Sequence, residues 1–154
     1  MNGMFDNCSS LTDFSALSSW DVSSVKNMDE TFKDCAKVKD LSALSGWNTS
    51  TVQDMDSMFS GCASLKDLSG LSRWKVSSVE FMGNMFSDCE ALTGISGISG
   101  WDTKSVLDMQ QMFDGCTSLA DASSLSGWDT SSVTSKGDMF AGTSIPKDKL
   151  PSWY

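Results

Sequence analysis

Residues 47–73 read WNTSTVQDMDSMFSGCASLKDLSGLSR, and segments of the same pattern begin at residues 20, 74, 101 and 128. The period of 27 residues runs without an insertion. It aligns tryptophan, cysteine and phenylalanine in columns, which are Trp20, Trp47, Trp74, Trp101 and Trp128; Cys8, Cys35, Cys62, Cys89 and Cys116; and Phe5, Phe32, Phe59, Phe86, Phe113 and Phe140. A fixed period with fixed apolar columns predicts a solenoid of stacked coils.

The pattern inside one unit predicts a short helix and a short strand. Over residues 77–86, Val79, Met82 and Phe86 are spaced as on one face of a helix, and Ser77 with Glu80 fits a capping box. Residues 65–69 suit a strand that enters a parallel ladder. We therefore expect an α/β repeat solenoid, with one short helix and one short parallel strand per 27-residue coil and right-handed crossovers.

Charge and composition exclude several classes of function. The 154 residues contain 11 Lys and Arg against 20 Asp and Glu, for a net charge of −9, and no histidine. An anionic surface repels phosphate backbones and anionic bilayers, so nucleic acid and membrane surfaces are poor expectations. Membrane insertion is not expected either, because the sequence has no run of 18 or more apolar residues. Without histidine there is no Ser-His-Asp triad, and no His-containing metal site. We expect no enzyme and no cofactor.

The repeat resembles that of the bacterial BspA-like leucine-rich-repeat surface proteins, W-D-T-S-x-V-x-x-M-x-x-M-F-x-G-C-x-S-L-x-x-L. Residues 47–65 and 101–119 carry the resemblance most clearly. It implies a curved, leucine-rich-repeat-like solenoid, displayed on a bacterial surface and used for adhesion to host matrix proteins or to other cells. It implies no active site, and the motif residues are core residues, so no binding residue is carried over.

The two ends of the chain depart from the repeat. Met1 stands in the column of Met28, so the chain opens within a unit, and we interpret it as a segment of a larger exported protein at the bacterial surface. We expect about five and a half coils over residues 1–142. At residues 143–154 the columns break, which predicts a C-terminal cap. An open first coil exposes strand edges, so end-to-end self-association is a further expectation.

Four residues break the polar columns and form the predicted ligand-binding surface. Lys75 stands where other units have Asp or Asn, and Arg73 is close to it. Phe81 stands in a column of Asn, Asp and Ser, and Leu107 stands among Lys, Gln, Glu and Thr. Apolar and basic residues at polar positions suggest a contact patch. Drift at tolerant surface positions is the alternative.

One aspartate column is a candidate calcium site, because hard cations take several oxygen ligands. Its members are Asp13, Asp40, Asp67 and Asp121, with Asp148 beyond them and Gly94 as an interruption. The alternative is that each aspartate stabilises a turn. The five cysteines share one slot, which predicts buried free thiols rather than disulfides or a zinc site.

These observations favour a non-enzymatic binding or adhesion module that recognises a protein or glycan on a host or bacterial surface. The binding surface would be the strand face around Arg73, Lys75 and Phe81. The alternative is a structural spacer that has no ligand of its own.

Overall fold

The computed structural model describes residues 1–154 as a stack of coils. Each coil contains one 3₁₀ helix: η1 is Ser15–Leu17, η2 Ser42–Leu44, η3 Ser69–Leu71, η4 Ser96–Ile98 and η5 Ser123–Gly127, and η6 is Lys147–Lys149 near the C-terminus. Neighbouring coils are joined by isolated parallel bridges, which pair Asn27 with Asp54, Asp54 with Phe81, Phe81 with Asp108, Asp108 with Ser135, and Asp67 with Gly94. None of the helices is long and apolar enough to span a bilayer.

The repeat fold follows the prediction, whereas the α/β detail of each coil does not. The predicted helix over residues 77–86 is absent, and residues 83–88 form consecutive turns. The predicted strand over residues 65–69 is reduced to one bridge at Asp67, and η3 already begins at Ser69. The remainder of each coil consists of turns and irregular backbone.

Hydrogen bonding explains why the turns do not become a helix. In residues 55–62, the N–H groups of Met55, Ser57, Phe59 and Gly61 donate to carbonyls of the following coil at 2.8 to 2.9 Å. Between them, the N–H groups of Met58 and Ser60 donate to carbonyls three residues earlier in the same coil, and that of Asp56 donates to Asp54 Oδ1 at 3.0 Å. An α-helix needs every N–H for its own i→i−4 bonds. We call residues 28–35, 55–62, 82–89 and 109–116 the turn ladder.

The core consists of the predicted columns, stacked from coil to coil. Forty buried apolar residues form one cluster. Each phenylalanine ring of the column lies 5.4 to 5.8 Å from the next, centroid to centroid. Polar atoms of the core are satisfied across coils: Trp74 Nε1 donates to the Leu44 carbonyl at 2.9 Å, and Cys62 Sγ donates to the Phe32 carbonyl at 3.4 Å.

Over four coils, aspartate and glycine alternate at one left-handed position, which Asn7 and Gly142 occupy in the first and last coils. Asp34, Gly61 and Asp88 occupy it in successive coils with φ of 56°, 72° and 57°, and Gly115 follows with 73°. A Cβ placed on Gly61 would lie 2.1 Å from Asp34 Oδ1. A Cβ on Gly115 would lie 2.3 Å from Asp88 Oδ1. Each glycine therefore makes room for the carboxylate of the preceding coil.

Residues 143–154 close part of the last coil. Trp153 stacks on Trp128 at 6.3 Å and donates from Nε1 to the Leu125 carbonyl at 2.8 Å, as the column tryptophans do. Tyr154 packs edge-on against Phe140 at 5.1 Å. The cap thus extends the tryptophan stack although its sequence has left the repeat.

Candidate functional site

Arg73 and Lys75 lie together at a surface cavity of about 330 Å³ between two coils. They flank Trp74, which is buried, so both side chains are exposed on the same stretch of chain. The lining residues are Ser45, Gly46, Trp47, Asn48, Thr49, Arg73 and Lys75. The structure therefore brings two of the four predicted binding residues into one concave site.

The backbone around this cavity is held by the buried Thr49. Its hydroxyl donates to the Lys75 carbonyl at 3.0 Å and accepts from the Lys75 N–H at 2.9 Å. On the facing coil, Asn48 Oδ1 accepts from the Ser50 hydroxyl at 2.8 Å and from the Ser50 N–H at 3.3 Å. The turn thus engages the Asn48 oxygen, while its Nδ2 has no hydrogen-bond partner in the chain.

The cavity is cationic, whereas the chain as a whole is anionic. A cavity lined by Thr12, Lys37, Lys39 and Ser64 is cationic too, but it contains no arginine. The chain contains three ion pairs, Lys33–Glu30, Lys104–Asp102 and Lys149–Asp121, so Arg73 and Lys75 are unpaired. No carboxylate lines the cavity. A cationic concavity therefore lies on a chain of net charge −9.

Phe81 lies at a second cavity of about 360 Å³, lined by Asp29, Asp54, Asp56 and Phe81. Its side chain is 42% exposed. Burial, with neighbouring carboxylates adding to it, raises the pKa of Asp56 to about 6, although the Ser57 hydroxyl bond acts in the opposite direction. Burial also raises the pKa of Asp29. This second cavity is acidic and apolar.

The predicted surface is therefore divided between two cavities. Leu107 is half-buried, and its N–H donates to the Glu80 carbonyl at 2.8 Å. Sequence reasoning did not identify the acidic group of Asp29, Asp54 and Asp56 beside Phe81. The sequence does contain a signal for this group, which is a pair of carboxylates two residues apart, Asp54 and Asp56. Of these, Asp54 lies in the column of the inter-coil bridges.

The aspartates proposed as calcium ligands each lie two residues before the first residue of a 3₁₀ helix. Oδ1 accepts from the N–H two residues later at 2.9 Å for Asp13, 2.6 Å for Asp40, 2.9 Å for Asp67 and 2.8 Å for Asp121. Hydrogen bonds from the serine, side chain first, lower the pKa of Asp13, Asp40 and Asp121. No three Cys, Asp or Glu side chains are grouped so that they could hold a metal ion. This is the geometry expected if each aspartate stabilises a turn.

The cysteine column consists of free thiols, as predicted, and four of the five are buried. Burial raises the pKa of Cys35 to about 11 and that of Cys116 to about 12. Burial likewise raises the pKa of Cys89 far above its ordinary value. These thiols stay protonated at neutral pH and belong to the core.

Comparisons with known proteins identify the family. The model of a family described as "Mycoplasma protein of unknown function, DUF285" matches residues 1–93 and, again, residues 36–153. The crystal structure of a leucine-rich repeat protein from Eubacterium ventriosum is similar, with a TM-score of 0.51 and 20% identity over 83% of this chain and 29% of that one. This chain thus spans less than a third of that protein. No curated protein matches. The chain belongs to the DUF285 family and is a BspA-like leucine-rich-repeat protein.

Proposed function

We propose that this chain is a non-enzymatic binding module of a bacterial cell-surface protein, which recognises a protein or glycan on a host or bacterial surface. The observation that carries the proposal is the unpaired cationic cavity at Arg73 and Lys75. Both residues are departures from the repeat at exposed positions. They contribute nothing to the columns that build the core, so folding does not require them.

The surface around this coil offers two chemically different cavities. One combines Arg73 and Lys75 with polar groups, and the other places the exposed Phe81 beside carboxylates. Exposed aromatic and arginine side chains are the groups on which binding energy concentrates in interfaces. The bordering coils lack this combination, because their equivalents of Arg73 are Gly46 and Gly100.

The test is binding of the purified chain to an array of host matrix proteins and surface glycans, with calcium and with a chelator. We expect saturable binding, weakened at least about tenfold by the double substitution Arg73→Ala with Phe81→Ala. The matched control is Lys37→Ala with Met4→Ala, which removes one exposed cation and one exposed apolar group elsewhere. Wild-type binding by the first variant would remove this surface from consideration.

Calcium dependence decides the role of the aspartate column. Binding that the chelator abolishes would indicate that Asp13, Asp40, Asp67 and Asp121 hold calcium through their remaining oxygens. Binding that the chelator leaves unchanged would leave these residues as turn formers.

A structural spacer is the second candidate, and the continuity of the stack favours it. The phenylalanine rings and the turn ladder run through every coil without a break. A spacer needs this regularity and no ligand. If the folded chain binds no component of the array, the spacer is favoured over the binding module.

A further inference from the structure

The cavity at Arg73 and Lys75 coincides with a reversal of charge in one column of the repeat. In five successive coils the residue after the tryptophan is Asp21, Asn48, Lys75, Asp102 and Asp129. The two coils that line the cavity are the two that lack the carboxylate. An anion in this cavity is therefore not repelled by any carboxylate of the lining, and it can contact the Lys75 ammonium directly.

The cavity also contains hydrogen-bond donors that the chain does not use. Asn48 Nδ2 and the Ser45 hydroxyl have no partner in the chain, and neither do the side chains of Arg73 and Lys75. The guanidinium offers the planar pair of N–H groups that matches a carboxylate. Gly46 adds space, because a Cβ there would meet nothing within 4 Å.

We propose that this cavity binds a uronic acid residue of an acidic glycan, with the sugar carboxylate on Arg73 and Lys75 and its hydroxyls on Asn48 and Ser45. The proposal rests on the proposed binding function and names its ligand class. A sugar acid supplies one carboxylate with several hydroxyls, which matches two cations with neighbouring polar groups.

The lining favours a glycan over an acidic peptide. Trp47 is its one large apolar side chain and is only 3% exposed, so the cavity offers no aromatic or aliphatic anchor. Protein partners obtain most of their binding energy from such anchors. Polar groups that converge in a concave site fix the orientation of a small ligand, and a sugar acid can engage all of them at once.

The experiment titrates the whole chain with tetragalacturonate by calorimetry and by NMR. The comparison ligands are the same tetrasaccharide with its carboxyls reduced to alcohols, and tetraglutamate. We expect Arg73→Ala with Lys75→Ala to weaken tetragalacturonate binding at least about tenfold, since each charged hydrogen bond carries a large share of such binding. Circular dichroism checks the fold, which we expect to be unchanged because both side chains are exposed.

The matched control is Lys37→Ala with Lys39→Ala. These lysines are exposed and line a different cavity with Thr12 and Ser64, so the control removes the same net charge. We expect it to change affinity by less than about twofold, because general electrostatic attraction is weak at physiological salt.

Asn48→Asp provides a test that removes no cation. Asp21 and Asp129 form the equivalent turns with Ser23 and Ser131, so an aspartate fits this position. It restores a carboxylate beside Lys75, and we expect affinity to fall about tenfold or more through repulsion of the ligand.

Four results would overturn the proposal: no binding of tetragalacturonate, equally tight binding of the reduced saccharide, equal or tighter binding of tetraglutamate, or an equal loss of affinity in the lysine control. If tetragalacturonate does not bind while another component of the array does, the glycan proposal fails and the binding module stands. If the whole array is silent as well, both fail.

Discussion

At the scale of single residues, the aspartates of this chain fall into two environments. Those that lie two residues before a 3₁₀ helix are exposed and accept hydrogen bonds from its first serine, and these bonds lower the pKa of Asp40. Asp56 is half-buried near Asp29 and Asp54, and its pKa is raised to about 6. At neutral pH, the charged carboxylate therefore stabilises the fold at position 40 and destabilises it at position 56.

We predict that Asp56→Asn stabilises the fold at neutral pH. The folded pKa of about 6 lies above the ordinary value of 3.8, so the penalty of the charged carboxylate is absent below about pH 4 and complete above about pH 6. Asparagine removes the charge and retains an acceptor for Ser57. The free energy of unfolding in urea should rise by about 1 kcal/mol at pH 7, discounted for partial exposure, and should not rise at pH 4.

Asp40→Asn is the control of opposite sign. Its folded pKa lies below the ordinary value, so its stabilising effect is present at pH 7 and is lost as pH falls below about 4. The variant should therefore be less stable than wild type at pH 7. An Asp56→Asn variant that is equally stabilised at both pH values would contradict the assignment.

At the scale of the element, the turn ladder depends on residues that tolerate left-handed backbone. Its two positions per coil are four residues apart, as at Ser57 and Gly61. Alternation of Asp34, Gly61, Asp88 and Gly115 places each carboxylate where the next coil has no side chain. Over these four coils the side chains at this position therefore fit in pairs of coils, although the sequence repeats with every coil.

We predict that Gly61→Ala is destabilising and that Asp34→Gly relieves part of the loss. The new Cβ would overlap Asp34 Oδ1. We expect a loss of about 2 kcal/mol in the free energy of unfolding, part of which the double variant recovers as coupling between the sites. The matched control is Gly3→Ala, which also has left-handed backbone but where a Cβ would meet only Asp6 Cβ at 4.0 Å, and it should cost about 1 kcal/mol. Absence of coupling would contradict the pairing.

Part of the fold could be predicted from the sequence. The columns of Trp, Cys and Phe predicted the solenoid and its core, because stacking requires the same side chain at the same place. The helix over residues 77–86 was wrong, because apolar residues spaced by three and four fit a turn ladder as well as a helix. Glu30, Ser57 and Gln111 adopt positive φ, and nothing in their side chains signals it.

The candidate site was accessible to sequence reasoning only in part. Arg73 and Lys75 are two residues apart around a buried tryptophan, so a shared exposed face could be predicted. The separation of Phe81 from them depends on the turns between, and its acidic neighbours come from two preceding stretches of chain. The 27-residue step places Asp54 beside Phe81 and Asp29 beside Asp56, but whether the two columns face one cavity depends on the turn between them, which the columns do not specify.

At the scale of the whole molecule, the turn ladder has a direction. Its inter-coil N–H groups all point toward the following coil. At the last coil, the N–H groups of Asp138, Phe140 and Gly142 have no partner, and at the first coil the carbonyls of Asn2 and Met4 have none. The two ends of this chain are therefore complementary in donors and acceptors.

We predict that the chain associates end to end as concentration rises, and that Met4→Lys suppresses the association. Met4 is 52% exposed at the open edge, and a lysine there opposes edge pairing. Phe81→Lys is the matched control, since it replaces an exposed apolar residue on the side of the stack. Sedimentation velocity over a dilution series should show association for wild type and control. Identical behaviour of all three chains would refute end pairing.

The direction of the ladder also determines how the molecule bears tension. Bonds between coils lie along the line that joins the two ends of the stack. A terminal coil is held by one neighbour and an interior coil by two, so a pull on those ends detaches the terminal coils first. Each 27-residue coil that peels away releases about 9 nm of slack. Under tension such a segment would lengthen in equal increments, coil by coil, instead of unfolding in one event.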